Sequence, residues 1–282
     1  MGSPAGTAPA LDHARHGCEV ELIAEPRDLS QERADALNEN VADLAWRACG
    51  GEAGRDDPNV GRGWREYCTA PGGRAQDHDR LVLFWDGDKM VGFNGLVVSR
   101  IEPGGAAHPD GAAQPDGAAH PDGATLLWWR AAGTDPAYQA RGIFGTALST
   151  MLDPDWLTSF DGPTYWVYRT PNPVIHESVR KWWRRYPDWA ERLYPAITTD
   201  AELEPIDPVT RAIATHIATA LWPDCEFDPA TFVIKDFLDK YGRDIWRVPP
   251  AESSNPGANS FFRQHLRPGN QDALLGVCLI AE

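Results

Sequence analysis

Thr134-Asp135-Pro136-Ala137-Tyr138-Gln139-Ala140-Arg141-Gly142-Ile143-Phe144-Gly145 is the stretch of this 282-residue chain whose residue types point to chemistry. A glycine just ahead of an apolar helical run lets an anion approach the unpaired N–H groups of a helix's first turn. The helix dipole adds positive potential there. Gly142 removes the side chain that would hold a phosphate at a distance, and Arg141 brings a fixed positive charge. Gln139 to Phe144 therefore reads as a cradle for a diphosphate. It is not a Walker loop, which needs Gly-Lys-Ser/Thr, nor a dinucleotide fingerprint, which needs G-x-G-x-x-G. The competing reading is an ordinary helix in which Gly142 only eases packing.

The flanking residues must position this loop. Leu126-Leu127-Trp128-Trp129-Arg130-Ala131-Ala132 is a bulky run of strand length, stopped by Gly-Thr-Asp-Pro because proline cannot continue a sheet ladder. Ile143, Phe144, Ala147, Leu148, Met151 and Leu152 then lay one apolar stripe along a helix. Thr164 to Thr170 predicts another strand, closed by Pro171, and Asn172-Pro173 is the N-cap and first residue of a second helix. Ile175, Val179, Trp182, Trp183 and Tyr186 form that helix's buried face. Arg180, Lys181, Arg184 and Arg185 crowd the rest of it, either as a solvated surface or as contacts for a phosphate.

Asp135 to Leu148 resembles the coenzyme A loop of the GNAT superfamily of N-acetyltransferases, with its Q/R-x-x-G-x-G/A signature after a strand. The order of elements is similar from Glu19 to Tyr186. Phe144 stands where that family has Gly or Ala, with Gly145 one place later, which is accommodated if the Phe144 side chain turns into the core. The resemblance implies an acetyl-CoA dependent acyltransferase acting on a small-molecule amine, in natural-product biosynthesis or drug resistance. It implies cofactor contacts from Ala132, Gly133, Thr134, Gln139, Ala140, Arg141, Gly142, Ile143, Phe144, Gly145 and Asn172. Strands ending at Thr134 and Thr170 are expected to diverge, leaving backbone groups of Ala132 and Thr134 for the pantetheine arm. A backbone N–H near Ala132 or Gly133 is the expected oxyanion donor. The catalytic acid and base have no clean heir, because Leu126 to Thr134 contains no carboxylate and the turn expected to carry a Tyr holds Trp182 and Trp183. Tyr168, His176 and Tyr186 are the catalytic candidates, with Glu177 nearby. The alternative is a non-catalytic CoA-binding sensor or partner protein of the same fold.

Composition narrows the partners. A formal net charge of −15 repels nucleic acid phosphates and anionic membranes, which also disfavours transfer from aminoacyl-tRNA, and suits a cationic amine. Arginine outnumbers lysine and Ala, Gly and Pro are frequent, as in a high-GC bacterial gene. Five scattered cysteines without a CxxC pair read as reduced thiols of a cytoplasmic protein, and no metal is expected. No apolar run reaches membrane-spanning length, and the start lacks the charged-then-apolar order of a signal peptide. The oligomeric state is open, a homodimer being one possibility.

The fold class expected is α/β (α+β), a mixed, mostly antiparallel central sheet flanked by helices, with a helical insertion at about 188–258. Residues 1–17 read as a loose tail and 18–282 as a single domain. Cys18 to Ala24 predicts a first strand, and Ser30 caps a helix carrying Leu37, Val41, Leu44, Ala45 and Ala48. Trp64 to Cys68 predicts a short helix; Trp64 and Tyr67 either pack or touch substrate. Asp86-Gly87-Asp88-Lys89 joins strands Arg80–Trp85 and Met90–Ile101 as a hairpin. Residues 105–122 are three near-identical Gly-Ala-Ala-His/Gln-Pro-Asp hexads, predicting a flexible loop at 103–124 between two strands, since alanine is too small to build a core. Helices are expected at Pro208–Trp222, Pro229–Tyr241 and Asn259–Leu266. A final strand, Ala273–Ala281, should pair beside Thr164–Thr170.

Overall fold

Two apolar strands joined by a tight Asp-Gly turn start the sheet: β2 (Arg80–Asp86) and β3 (Lys89–Arg100), with Gly87 at a positive φ of 56°. β1 (Glu19–Ile23) pairs antiparallel with the outer edge of β2, and β4 (Thr125–Thr134) with the far edge of β3. The computed structural model describes residues 17–49, 66, 68, 73–101, 123–186, 193–237, 252–267 and 272–281. Residues 1–16, the hexads, Trp64 and Tyr67 therefore lie outside the described residues. At the neck of the β3–β4 connection, Ile101 N–H donates to Ala124 at 3.0 Å and Gly123 N–H to Ile101 at 2.7 Å.

The remaining strands are β5 (Thr164–Thr170), β6 (Leu193–Tyr194), β7 (Phe227–Asp228), β8 (Val233–Ile234) and β9 (Ala273–Ala281). The order is β1-β2-β3-β4-β5-β9-β8-β7, with β6 pairing to β9 off this path. β4 and β5 run parallel and every other pairing is antiparallel. The final strand sits beside Thr164–Thr170 as its sequence predicts, with Tyr168 opposite Gly276. This is the mixed, mostly antiparallel sheet expected.

Helices α1 (Gln31–Cys49), α2 (Ile143–Met151), α3 (Pro154–Leu157), α4 (Pro173–Trp183), α5 (Pro208–Leu221) and α6 (Pro256–His265) flank it. Ser30 Oγ accepts from Arg33 N–H, and Asn172, Asp207 and Asn255 cap α4, α5 and α6 through their side chains. On one face α2 and α4 bury Ile143, Ala147, Leu148, Val179 and Trp183 against Phe84, Leu127, Trp129 and Trp166. The other face is divided. α1 covers Leu81, Leu83, Met90 and Phe93, while α5 and α6 cover Leu126, Val167, Leu275 and Val277. Each fully buried aromatic or aliphatic side chain contributes about 1.5–3 kcal/mol, so these clusters dominate the stability.

The expected helix Pro229–Tyr241 is not helical over its described residues 229–236; Phe237 is helical, and 238–241 lie outside the described residues. Asp228-Pro229 looks like an N-cap and first helical residue, and Asp228 accepts from Ala230 N–H at 2.9 Å and from Thr231 Oγ at 2.7 Å. After that single turn Phe232 adopts a left-handed φ of 60°, and the β-branched pair Val233–Ile234 joins β9 instead. The described part of 188–258 thus holds helix α5, three two-residue strands, a helical Phe237 and the start of α6.

Candidate functional site

The site begins where β4 and β5 part. Their parallel ladder runs from Thr125↔Thr164 to Trp129↔Tyr168 and stops there. A bulge explains the stop: across β3, Leu96 faces Trp129 and Gly95 faces Ala131, so Arg130 is the extra residue. A bulge bends and twists its strand. From Arg130 onward β4 keeps β3 on one side, through Asn94↔Ala132, Phe93↔Gly133 and Gly92↔Thr134, and among the described residues has no strand on the other. Ala132 to Thr134 thus present one backbone edge to a notch. Gly133 must be glycine, since a Cβ would lie 2.6 Å from the Phe93 ring.

Beyond the notch the chain turns into α2. Asp135 caps a short 3₁₀ turn by accepting from Ala137 N–H at 3.0 Å. It also pairs with Arg47 from α1 and with Lys89 at 2.9 Å, its side chain only 8% exposed. Burial opposes its charge, but the Lys89 and Ala137 hydrogen bonds and the Arg47 charge outweigh that and hold the carboxyl below its usual range. The loop is therefore pinned to two other elements, and its one buried anion is matched by two cations. Gln139, Ala140, Arg141 and Gly142 are exposed. Ala140 and Gly142 have positive φ values of 62° and 88°, and no side chain caps α2. A Cβ at Gly142 would meet nothing within 4 Å, so the helix tip faces open space. Arg141 lies over the Tyr138 ring at 4.5 Å, and Tyr138 in turn donates to Asp86. Phe144 turns inward and packs its ring 5.0 Å from Trp129, which is how a bulky residue is accommodated in the motif.

The expected cofactor contacts in β4 and the loop thus share one end of the sheet. Asn172 is placed differently: its Oδ1 accepts from Val174 N–H at 2.9 Å as the N-cap of α4. The catalytic candidates divide. Tyr168 Oη and His176 Nδ1 are 2.8 Å apart, and both residues are fully buried. Burial pushes the tyrosine hydroxyl up, while burial, with the Arg180 charge second, pushes the imidazole down to about 3. Tyr168 occupies the last rung of the β4–β5 ladder, yet its ring lies over Gly276 of β9, where a Cβ would be 1.8 Å from Cε1. Tyr186 packs against Trp182 at 4.9 Å beyond the end of α4. Of the basic residues on α4, Arg180 donates to Ile197 O and pairs with buried Glu177, and Lys181 donates to Ser254; Arg184 and Arg185 are exposed.

Sequence reasoning passed over three residues at the notch. Arg130 and Arg169 both sit against Trp128, at 5.2 and 5.8 Å from its centroid. His78 is buried over Gly95, and burial, with the Arg130 charge second, lowers its imidazole to about 4. An arginine inside an apolar strand was the one available signal for this cluster; nothing local marks His78.

No family model matches the chain, and no curated protein sequence matches it significantly. Among solved structures it is similar to the protein PH1933 from Pyrococcus horikoshii OT3, at 14% identity and a TM-score of 0.35, over 64% of this chain and 92% of that one. The aminoglycoside N-acetyltransferase AAC(6')-Iy, in complex with CoA, matches at 13% identity and a TM-score of 0.29, over 58% and 86%. At those scores the overlap is partial, and the site is understood from its own geometry. Among the described residues, no helix is long and apolar enough to cross a membrane.

Proposed function

We propose that the chain is an acyl-coenzyme A dependent N-acyltransferase, an acetyltransferase in the simplest case, that modifies the amine of a small molecule. The observation that carries this reading is the meeting of two backbone features at one end of the sheet. An unpaired β4 edge from Ala132 to Thr134 runs directly into an uncapped helix tip at Gly142.

The fit is a matter of backbone groups. The N–H groups of Ile143, Phe144 and Gly145, with the Arg141 charge, would hold the diphosphate. The β4 edge would take the amides of the pantetheine arm as a neighbouring strand would. When bound, the cofactor supplies an activated acyl group as a thioester. An N–H at Ala132 or Gly133 would polarise its carbonyl. In the net reaction a C–N bond forms, the C–S bond breaks with its electron pair going to sulfur, and the nitrogen's proton ends on the thiol. Tyr168 and His176, fully buried, would act by holding the apex of the notch, not by touching substrate. Tyr186 would support Trp182, whose indole donates to Ser149 of α2 at 3.1 Å.

A non-catalytic CoA-binding protein is the second reading, supported by the absence of any carboxylate on β4 or β5. Calorimetry with CoA, followed by thiol release from acetyl-CoA over a panel of amines, tests both. Binding with turnover supports the transferase, binding with silence over the whole panel supports the second reading, and no binding sinks both.

A further inference from the structure

The face of the sheet away from α2 and α4 carries a second set of observations. The seam between the residues under α1 and those under α5 and α6 falls at the bulge, where Arg130 and Ala131 come to the same face. Arg130, half-buried, lies 5.2 Å from the centroid of Trp128. Arg169 of β5 lies 5.8 Å from the same centroid and 4.4 Å from that of Phe237, and donates to Arg130 O at 3.2 Å. Each strand bounding the notch therefore sends one guanidinium to one tryptophan. The chain carries 41 acidic residues against 26 basic ones, yet no described carboxylate pairs with Arg130. Like charges gathered on one ring repel each other, and an anion brought to Arg130 would relieve that repulsion.

His78 adds an acceptor to the same face. It lies over Gly95, whose rung partner is Ala131, with Nε2 2.5 Å from where a Gly95 Cβ would be. Its Nδ1 is 3.0 Å from the Arg74 carbonyl, which can only accept, so Nδ1 carries the proton and Nε2 the lone pair. Nε2 is buried and, among the described residues, has no hydrogen-bond partner, a costly state for a polar atom.

We propose that the acyl acceptor is an amino acid or a close analogue, its carboxylate held by Arg130 with Arg169 beside it and an amine N–H accepted by His78 Nε2. The proposal rests on the acyltransferase reading and assigns that enzyme's substrate class. Burial and Arg130 together keep the imidazole neutral at physiological pH, so the lone pair is available. The acidic composition favours cationic partners at long range. At the seam the local field has the opposite sign, and an amine without a carboxylate meets two guanidiniums with nothing to offset its own charge.

The test uses the full chain, acetyl-CoA and a panel of amino acids, each compared with its carboxamide and its decarboxylated amine. Thiol release is the readout, with CoA binding measured separately by calorimetry. For the preferred amino acid, kcat/KM should exceed that of its carboxamide by at least about 100-fold. In R130Q that ratio should collapse toward one, mainly through KM, and R130K should restore part of it. Carboxamides or simple amines turning over as well as the acids in the unmutated protein would overturn the proposal while leaving the transferase intact. So would an acid-to-amide ratio unchanged in R130Q, or CoA uptake with no amino acid accepted. Failure to bind CoA at all would bring down the acyltransferase reading and the proposal with it.

Discussion

Gly142 allows the diphosphate assignment to be tested with two isosteric substitutions. Its φ of 88° and ψ of 2° are left-handed, and a Cβ there meets nothing within 4 Å. Asn and Asp tolerate this conformation better than other residues, so G142N and G142D both carry a backbone cost of about 1 kcal/mol. They differ by one negative charge at the start of α2. In the free protein that charge faces the positive end of a helix dipole and should make G142D more stable than G142N by about 0.3–1 kcal/mol. Toward a diphosphate the sign reverses. Two unit charges at roughly 6 Å, with an effective dielectric of about 50, oppose Asp by about 2 kcal/mol, or roughly 40-fold in affinity. Thermal unfolding of the free variants and calorimetric titration with CoA at low and high salt read the two signs separately. The affinity gap should shrink as salt rises, because the loop is exposed. Equal CoA affinity for the two variants at low salt would mean that the diphosphate does not sit at this helix tip.

Other substitutions probe the scaffold. Gly145→Ala should be neutral or stabilise by up to about 1 kcal/mol, since its Cβ would sit an ordinary 3.7 Å from Trp182 and α2 gains a better helix former. Gly276→Ala should cost about 3 kcal/mol or more, as the Cβ would strike the fully buried Tyr168 ring; an unchanged melting temperature would contradict the described packing. Asp135→Asn leaves Arg47 and Lys89 without their shared carboxylate and should destabilise by about 3 kcal/mol in urea unfolding at pH 7. Stability should also fall in mild acid. His78 and His176, held by burial at about 4 and about 3, stay neutral in the folded protein while the unfolded chain takes up protons below about 6.5. Their contribution is intact above pH 6.5 and declines below it, each losing about 2 kcal/mol by pH 5, and the loss levels off near pH 4 for His78 and near pH 3 for His176. Urea midpoints at pH 7 and pH 5 should differ in the unmutated chain, and by about half as much in His78→Gln.

Much of this fold is written in local signals. The Asp-Gly hairpin, the Pro136 strand stop, the Asn172-Pro173 cap and the apolar stripe of α2 depend on neighbours within a few positions, and all were legible. The same rules misled at Pro229, where the start of an expected helix gave way once Val233 and Ile234 found pairing beside Leu274 and Ala273. At the site, a glycine ahead of a greasy helix pointed to the helix tip proposed to hold a diphosphate. The cluster proposed to hold the acceptor was hidden because it is assembled from afar. Arg130 reaches that face through a bulge in its register with β3, and His78 meets Gly95 across seventeen positions of chain. Tyr168 and His176, read as chemistry, instead form a buried hydrogen bond.

The neck at Ile101 and Gly123 has a bearing on how this gene can change. Its two backbone hydrogen bonds close the β3–β4 hairpin before the alanine-rich repeat begins. The chain re-enters the sheet at Thr125, ten residues of β4 and about 30 Å from the end that leads to Gly142. Copies of the hexad can thus be gained or lost by replication slippage without shifting the register of the strand that forms the notch. A change in the length of the tract would leave the far end of β4, and the notch it borders, in the same register.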